Sequence, residues 1–335
     1  MNPRTVSLTS INDRQLDRLI KRLALALILG AAAFAAFYVI DRSRPSTTSI
    51  PDQQLASAEQ AVKDTPSDLA ARGNLADLYV TRARYQEAID QYNQIIASGQ
   101  DVELADFGRA GAYVGLKQWD AAAKDYQAVV DIAQPGEMSN VDPMLESAYY
   151  ELGQIAMNQN RASDAVGFLT KALAIKRSDA DALYLIGTAY AATGALDKAE
   201  TSIRSALAFV PVGWPEAYQA LADVFTKAGK PTHAQWATAM ASAATADSGA
   251  SIQTLTKLVD DPVAGEDAMI GLGILYESAR DSGNAAAWYQ KALAKDPNSS
   301  EAQLGLGRVS AGNAASPLPA LPTPGVPTSA GGASK

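Results

Sequence analysis

Apolar and polar positions along the chain follow a spacing that predicts pairs of packed helices. A small residue is followed by a bulky one at +3, by Ala at +12 and by an apolar residue at +16. The clearest example is Gly187, Tyr190, Ala199 and Ile203. Positions three or four apart share a helix face, so each half of the pattern describes one face of one helix. Gly194, between the halves, predicts a turn.

The same pattern occurs in six copies, which makes the chain a repeat array. The small residues of the copies are Ala76, Ala110, Gly153, Gly187, Ala222 and Gly273. Nine extra residues, Glu137 to Leu145, separate the second and third copies, and about seventeen separate the fifth and sixth. The longer insertion contains SIQTLTKLVDDP, which predicts an additional short helix that interrupts the array. Thr238 and Arg109 depart from the apolar residues expected at their positions.

Two antiparallel helices in close contact explain this spacing. The small residue and the Ala let the two backbones approach, and the bulky and apolar residues fill the space beside that contact. Pro211 and Pro297 then end the second helix of their copies.

At this spacing the chain resembles the tetratricopeptide repeat (TPR) family, whose 34-residue units are helix-turn-helix pairs. The resemblance covers Leu69 to Pro297 and implies an all-α superhelical solenoid of about six repeats. Gln53 to Lys63 is expected to cap its first end, and Ser300 to Val309 its last. The expected repeats lie near 69–102, 103–136, 146–179, 180–213, 215–248 and 266–299.

An apolar segment near the N-terminus predicts a membrane anchor. Leu23 to Ile40 contains no charged side chain, and a helix of that length spans about 27 Å, close to the hydrocarbon thickness of a bilayer. Basic residues are more numerous before it than after it, which favours a cytoplasmic N-terminus. A cleaved signal peptide ending near Ala33-Phe34-Ala35 is an alternative. A buried helix of the repeat domain is a third.

These features predict a single-pass protein with its repeats on the extracytoplasmic, periplasmic side. The predicted segments are a cytoplasmic segment 1–22, a transmembrane helix 23–40, a linker 41–52, a TPR array with capping helices 53–310, and a tail 311–335. The tail is rich in Pro, Ala, Gly and Ser, which predicts disorder. Its PLPALPTP portion suits either a spacer or an extended ligand of an aromatic groove.

The charge distribution favours protein partners. Residues 1–44 have a net charge of +4 and the remainder −12, against −8 for the whole chain. An acidic repeat domain argues against nucleic acid as a partner. The charge either favours neutral or basic protein partners or simply keeps the domain soluble. Cysteine is absent, and His233 is the single histidine. No phosphate-binding loop, nucleophile elbow or paired helical histidines occur. We therefore predict no catalytic, cofactor or metal site, and a protein that is not an enzyme.

The resemblance places partner contacts on the first helix of each repeat, three residues before and one residue after the small position. These positions are Gly73, Asp77, Phe107, Gly111, Tyr150, Gln154, Tyr184, Thr188, Gln219, Asp223, Ile270 and Ile274. They lack the Lys, Asn and Arg with which some relatives clamp a terminal carboxylate. Phe107, Tyr150 and Tyr184 are predicted to form an aromatic strip beside Met157 and Gln154. Alternatively, these rings pack against neighbouring helices, the insertions or the tail.

The predicted function is that of a membrane-anchored scaffold that binds apolar, aromatic, neutral or basic protein segments. Similar anchored repeat proteins are accessories to envelope protein translocation, maturation or complex assembly. The alternative is a constitutive structural subunit of a larger membrane complex.

Overall fold

The computed structural model describes residues 49–134, 136, 138–245 and 248–312, and the isolated Leu27, Ala31, Phe34 and Ala35. Fifteen α-helices and no β-strand occur within residues 49–312 where they are described. The chain divides into two compact units, 1–65 and 66–335. In the first, α1 covers Ile50–Asp64, and the Ser49 side chain accepts a hydrogen bond from the Asp52 N–H at its start.

The second unit contains the other fourteen helices of the described residues. They are α2 (Leu69–Thr81), α3 (Tyr85–Ser98), α4 (Val102–Gly115), α5 (Trp119–Ala133), α6 (Pro143–Asn158), α7 (Ala162–Ile175), α8 (Ala180–Ala192), α9 (Leu196–Phe209), α10 (Pro215–Lys227), α11 (Pro231–Thr245), α12 (Ser248–Leu258), α13 (Gly265–Ser278), α14 (Ser282–Lys295) and α15 (Ser300–Ser310).

Successive helices of this unit pack side by side. The two helices of each repeat contact each other, and the second helix contacts the first helix of the next repeat. This arrangement is a TPR-like helical solenoid, which confirms the predicted all-α repeat fold.

The close helix contact within each repeat requires the small residue. Each Gly at the small position faces the residue sixteen positions later so closely that a Cβ would collide with it. A Cβ added to the glycine would lie 2.6 Å from Leu169 at Gly153, 2.5 Å from Ile203 at Gly187, and 2.5 Å from Tyr289 at Gly273. The Ala at +12 is fully buried in five repeats, at Ala88, Ala122, Ala165, Ala199 and Ala285.

The turn within each repeat has a single backbone geometry. The residue seven positions after the small one has φ between 56° and 81°. The N–H of the following residue then donates to the carbonyl of the +3 residue at 2.8–2.9 Å. This is the left-handed turn that commonly ends helices. The six left-handed residues are Ala83, Lys117, Asn160, Gly194, Gly229 and Arg280.

Both insertions add local structure. The shorter one contains a 3-10 turn, Ser139–Val141, which contacts α7. The longer one contains α12, at the predicted additional helix, and α12 packs against α11 and α13. At the end of the unit, α15 contacts both α13 and α14 and so covers the last repeat.

The predicted anchor lies outside the described residues, apart from four isolated positions within 23–40. Residues 1–22, 41–48 and 313–335 also lie outside them. Within the part of the chain that is described, no helix combines the length and apolarity needed to cross a bilayer. The anchor, its orientation and the tail therefore remain predictions.

Candidate binding groove

The first helices of three repeats, α2, α4 and α6, line a groove of about 960 Å³. Gly73 and Asp77 contribute from α2, Phe107 and Gly111 from α4, and Tyr150 from α6. All five occupy the contact positions predicted from the repeat register. Further side chains come from the second helices and from the connection between α7 and α8. We call this surface the α2–α4–α6 groove.

Aromatic rings form much of its apolar wall. Phe107 packs edge-on against Tyr126 of α5, with ring centroids 5.3 Å apart. Tyr126 is buried, whereas Phe107 and Tyr150 are only partly buried. Leu104, on α4, also lines the groove and is 60% exposed. The groove therefore presents apolar surface that the described residues leave uncovered.

The rest of the lining is strongly acidic. Six carboxylates and one amine line the groove, and the amine, Lys176, is paired with Asp179 at 2.6 Å. The carboxylates are Asp77, Asp101, Glu146, Glu151, Asp179 and Asp181.

Burial raises the pKa of several of these carboxyls, because a low-polarity environment disfavours the charged form. It raises the pKa of Glu151 to about 7. It also raises the pKa of Asp181, and nearby Asp179 adds to this effect. The pKa of Asp77 is raised by burial, although the Tyr92 hydroxyl donates a hydrogen bond to it and opposes the shift.

Glu146 is the most enclosed of the groove carboxylates. It is 7% exposed, and its side chain makes no hydrogen bond or ion pair with another described residue. Burial and, to a smaller extent, nearby Asp179 raise its pKa to about 7, although Lys176 opposes the shift. An enclosed carboxylate without a close partner is unfavourable when it is ionised. It would gain from a cation entering the groove.

Besides Ile270 and Ile274, six of the predicted contact residues do not line this groove. The Tyr184 ring packs on Trp214, with centroids 5.1 Å apart, so the predicted aromatic strip is shorter than expected. The Thr188 hydroxyl donates to the Leu185 carbonyl at 2.8 Å. Exposed Gln219 donates to exposed Asp223 at 3.0 Å. The other two are Gln154 and Met157, both partly buried on α6.

Sequence reasoning predicted one of the six groove carboxylates, Asp77, and missed the other five. Glu146 lies seven positions before the small residue of its repeat and Glu151 two before it, outside the positions considered. Lys176 and Asp179 come from the connection to the next repeat, and Asp181 comes from the first turn of α8. The acidic net charge of residues 45–335 was the available signal, but it does not identify the surface that carries the charge.

Arg109, which departs from the repeat pattern, joins the two repeats that form one side of the groove. Its guanidinium donates to Asp125 of α5 at 2.6 and 2.8 Å, to Asp106 at 3.0 Å, and to Asn93 of α3 at 2.7 Å. A planar group with five donors can satisfy all three partners. The polar residue therefore replaces an apolar contact with a hydrogen-bonded one.

The described residues, including those that line the groove, provide no group of His, Asp or Glu suited to a metal ion. The His233 Nε2 lies 3.6 Å from the Asp267 carboxylate, and the ring packs against Phe225. A second cavity, of about 40 Å³, is lined by Ile270 and Ile274, which were also predicted contact positions. It is too small for a peptide.

Family models described as tetratricopeptide repeats match residues 55–103, 75–137, 156–224, 237–300 and 271–312. Together these matches cover more than half of the chain. The chain belongs to the tetratricopeptide repeat family. No curated protein matches its sequence.

Solved structures share the fold at low sequence identity. BtubC (BKLC) from P. vanneervenii is 17% identical with a TM-score of 0.50, and the match covers 58% of this chain and 88% of that one. YrrB, described as a TPR protein with an unusual peptide-binding site, is 16% identical with a TM-score of 0.48, covering 59% and 97%. MamA is 20% identical with a TM-score of 0.46, covering 51% and 94%. These likenesses show the fold alone.

Proposed function

We propose that the protein is a non-enzymatic scaffold that binds a segment of another protein in the α2–α4–α6 groove. The observation that carries this proposal is the groove itself. Its volume of about 960 Å³ suits a polypeptide segment, and its aromatic wall is partly exposed. Rings with an apolar face and a polar edge are effective contacts for protein ligands.

The proposal includes the membrane anchor. Residues 23–40 would hold the chain in a membrane as a single pass, with residues 1–22 in the cytoplasm and the repeats on the extracytoplasmic side. The apolar run and the excess of basic residues before it support this topology. The bound proteins would then belong to envelope translocation, maturation or complex assembly.

Filling the groove tests the binding role without disturbing the core. A Cβ on Gly73 would meet only Ile95, at 3.8 Å, so Gly73→Phe can direct a ring into the groove. Gly167→Phe is the matched control, because Gly167 is helical, exposed, has nothing within 4 Å of a Cβ and does not line the groove. Both variants of the full chain would be purified in mild detergent, and their co-purifying proteins identified by mass spectrometry.

We expect at least one partner to be lost from Gly73→Phe and retained by Gly167→Phe, with unchanged melting temperatures for both. If all partners remain with Gly73→Phe, groove binding is wrong. Partners that remain at fixed stoichiometry would instead indicate a constitutive subunit held through another surface.

A further inference from the structure

We infer that the α2–α4–α6 groove takes a basic segment, and that Glu146 and Glu151, beside Tyr150, receive a lysine or arginine side chain of the bound protein. This inference rests on the proposed function, because it specifies what the same groove binds. The occupant is a segment of a separate protein rather than a second copy of this chain.

The first argument is the state of Glu146. Its side chain is nine-tenths buried, lines the groove and has no hydrogen bond or ion pair with another described residue. A buried carboxylate is normally paired. The nearest basic group, Lys176, is already paired with Asp179. A cation from outside the described residues is the partner that this geometry lacks.

The second argument is that aromatic side chains line the groove together with Glu151. Its charge acts on both Tyr126 and Tyr150, and raises the pKa of each hydroxyl together with burial. Phe107 packs on Tyr126. Glu151 lines the groove together with the Phe107, Tyr126 and Tyr150 rings. A carboxylate that shares a groove with aromatic rings suits an ammonium or guanidinium group, which combines an ion pair with cation–π contact.

The third argument is charge complementarity along the groove. Six carboxylates face one amine. A bound segment with basic side chains relieves the repulsion among them, whereas an acidic segment adds to it. Apolar residues of the same segment would contact Leu104 and Phe107.

The test uses a library of acetylated, amidated nine-residue peptides, so that only side chains supply positive charge. The library is screened against the detergent-solubilised full chain, the Glu146→Gln/Glu151→Gln variant and Gly73→Phe. Peptides retained by the wild type and lost with Gly73→Phe are bound in the groove. Each selected Lys or Arg is then replaced by norleucine or citrulline, and the affinity is measured again.

We expect the selected peptides to share a Lys or Arg whose neutral replacement weakens wild-type binding about tenfold or more, the loss of a charged hydrogen bond. The same replacement should change binding to the double Gln variant by less than about twofold. Wild-type affinity for the charged peptide should also rise from pH 6 to pH 8, with the norleucine peptide unaffected. Lys176, Asp179 and Asp181 face the same region and are unchanged in every comparison.

The outcomes of this test distinguish a failure of the basic-segment inference from a failure of the proposed scaffold function. Groove-bound peptides without a basic position, or an unchanged preference in the double Gln variant, would overturn the inference and leave the scaffold function standing. No peptide lost with Gly73→Phe would contradict the function itself. If peptides bind only after residues 1–22 are deleted, the basic N-terminal segment of this chain is the occupant and the inference is wrong.

Discussion

Glu146 and Glu151 lower the stability of the fold at neutral pH while they contribute to the proposed binding surface. A carboxyl whose pKa is raised by folding holds its proton more tightly in the folded chain than in the unfolded one. Between its usual value of 4.5 and about 7, each group therefore lowers the free energy of unfolding as the pH rises. Above about 7 the loss is complete.

Neutral replacements should recover this lost stability. We expect Glu146→Gln/Glu151→Gln to raise the free energy of unfolding at pH 8 by about 1 to 3 kcal/mol, since each pKa unit corresponds to about 1.4 kcal/mol. At pH 4.5 the advantage should nearly disappear. Urea unfolding at both pH values measures the difference.

Glu87→Gln is the control, because the Glu87 side chain is 46% exposed and its pKa is lowered by its own backbone N–H and by Arg84. It should not share the gain at pH 8. The stability difference between the double Gln variant and the wild type could instead be the same at pH 4.5 and pH 8. That result would show that the two carboxyls are well solvated.

Tyr150 and Glu146, one turn apart on α6, show how much of the groove the repeat register predicts. Tyr150 was predicted to line a groove from its register within the repeat, and it does line one. Glu146 was not considered, because it lies seven positions before the small residue and so outside the two contact positions of its repeat. Tyr184 had the same register as Tyr150, yet Trp214 packs against it. Register predicts the helix face but not which side chains cover it.

The turn between paired helices is the element that repeats most strictly. All six occurrences use a left-handed residue at the same position, but only Gly194 and Gly229 are glycines. Ala83, Lys117 and Arg280 adopt this conformation at a steric cost that glycine avoids. Composition alone marks two of these turns, whereas alignment of the six repeats locates all of them.

Ala83→Gly should therefore stabilise the chain. The left-handed conformation costs a non-glycine residue about 1 kcal/mol or more, and the greater flexibility of unfolded glycine offsets part of the gain. We expect the free energy of unfolding to rise by about 0.5 to 1 kcal/mol. Thermal and urea unfolding of the purified chain measure it.

The control makes the same substitution inside a helix. Ala287 is exposed in the middle of α14, so Ala287→Gly should destabilise by about 1 kcal/mol. Opposite signs for the two changes would support the turn geometry. A loss of similar size at both positions would mean that Ala83 is not held in the left-handed region.

For the whole molecule, the sequence predicted the repeat array because its spacing reflects local contacts between adjacent helices. Gly153 facing Leu169 and Gly187 facing Ile203 are such contacts, and each involves residues sixteen apart. The acidic groove depends on residues from three repeats and two connections. Its charge pattern follows from no single repeat, so it had to be read from the three-dimensional arrangement.

The proposed membrane anchor would determine where that groove meets its partners, and its test is independent of the groove. We expect the full chain to remain with membranes in alkaline carbonate and to be released by detergent, because residues 23–40 are long and apolar enough to cross a bilayer. A chain lacking residues 1–40 should be recovered without detergent.

The intact mass of the full chain should show that residues 1–40 are retained, and protease added outside the inner membrane should degrade the repeats. Release by carbonate, or a mature chain beginning near residue 36, would support a cleaved signal peptide instead. Protection of the repeats from external protease would reverse the proposed orientation and place the basic-segment groove in the cytoplasm.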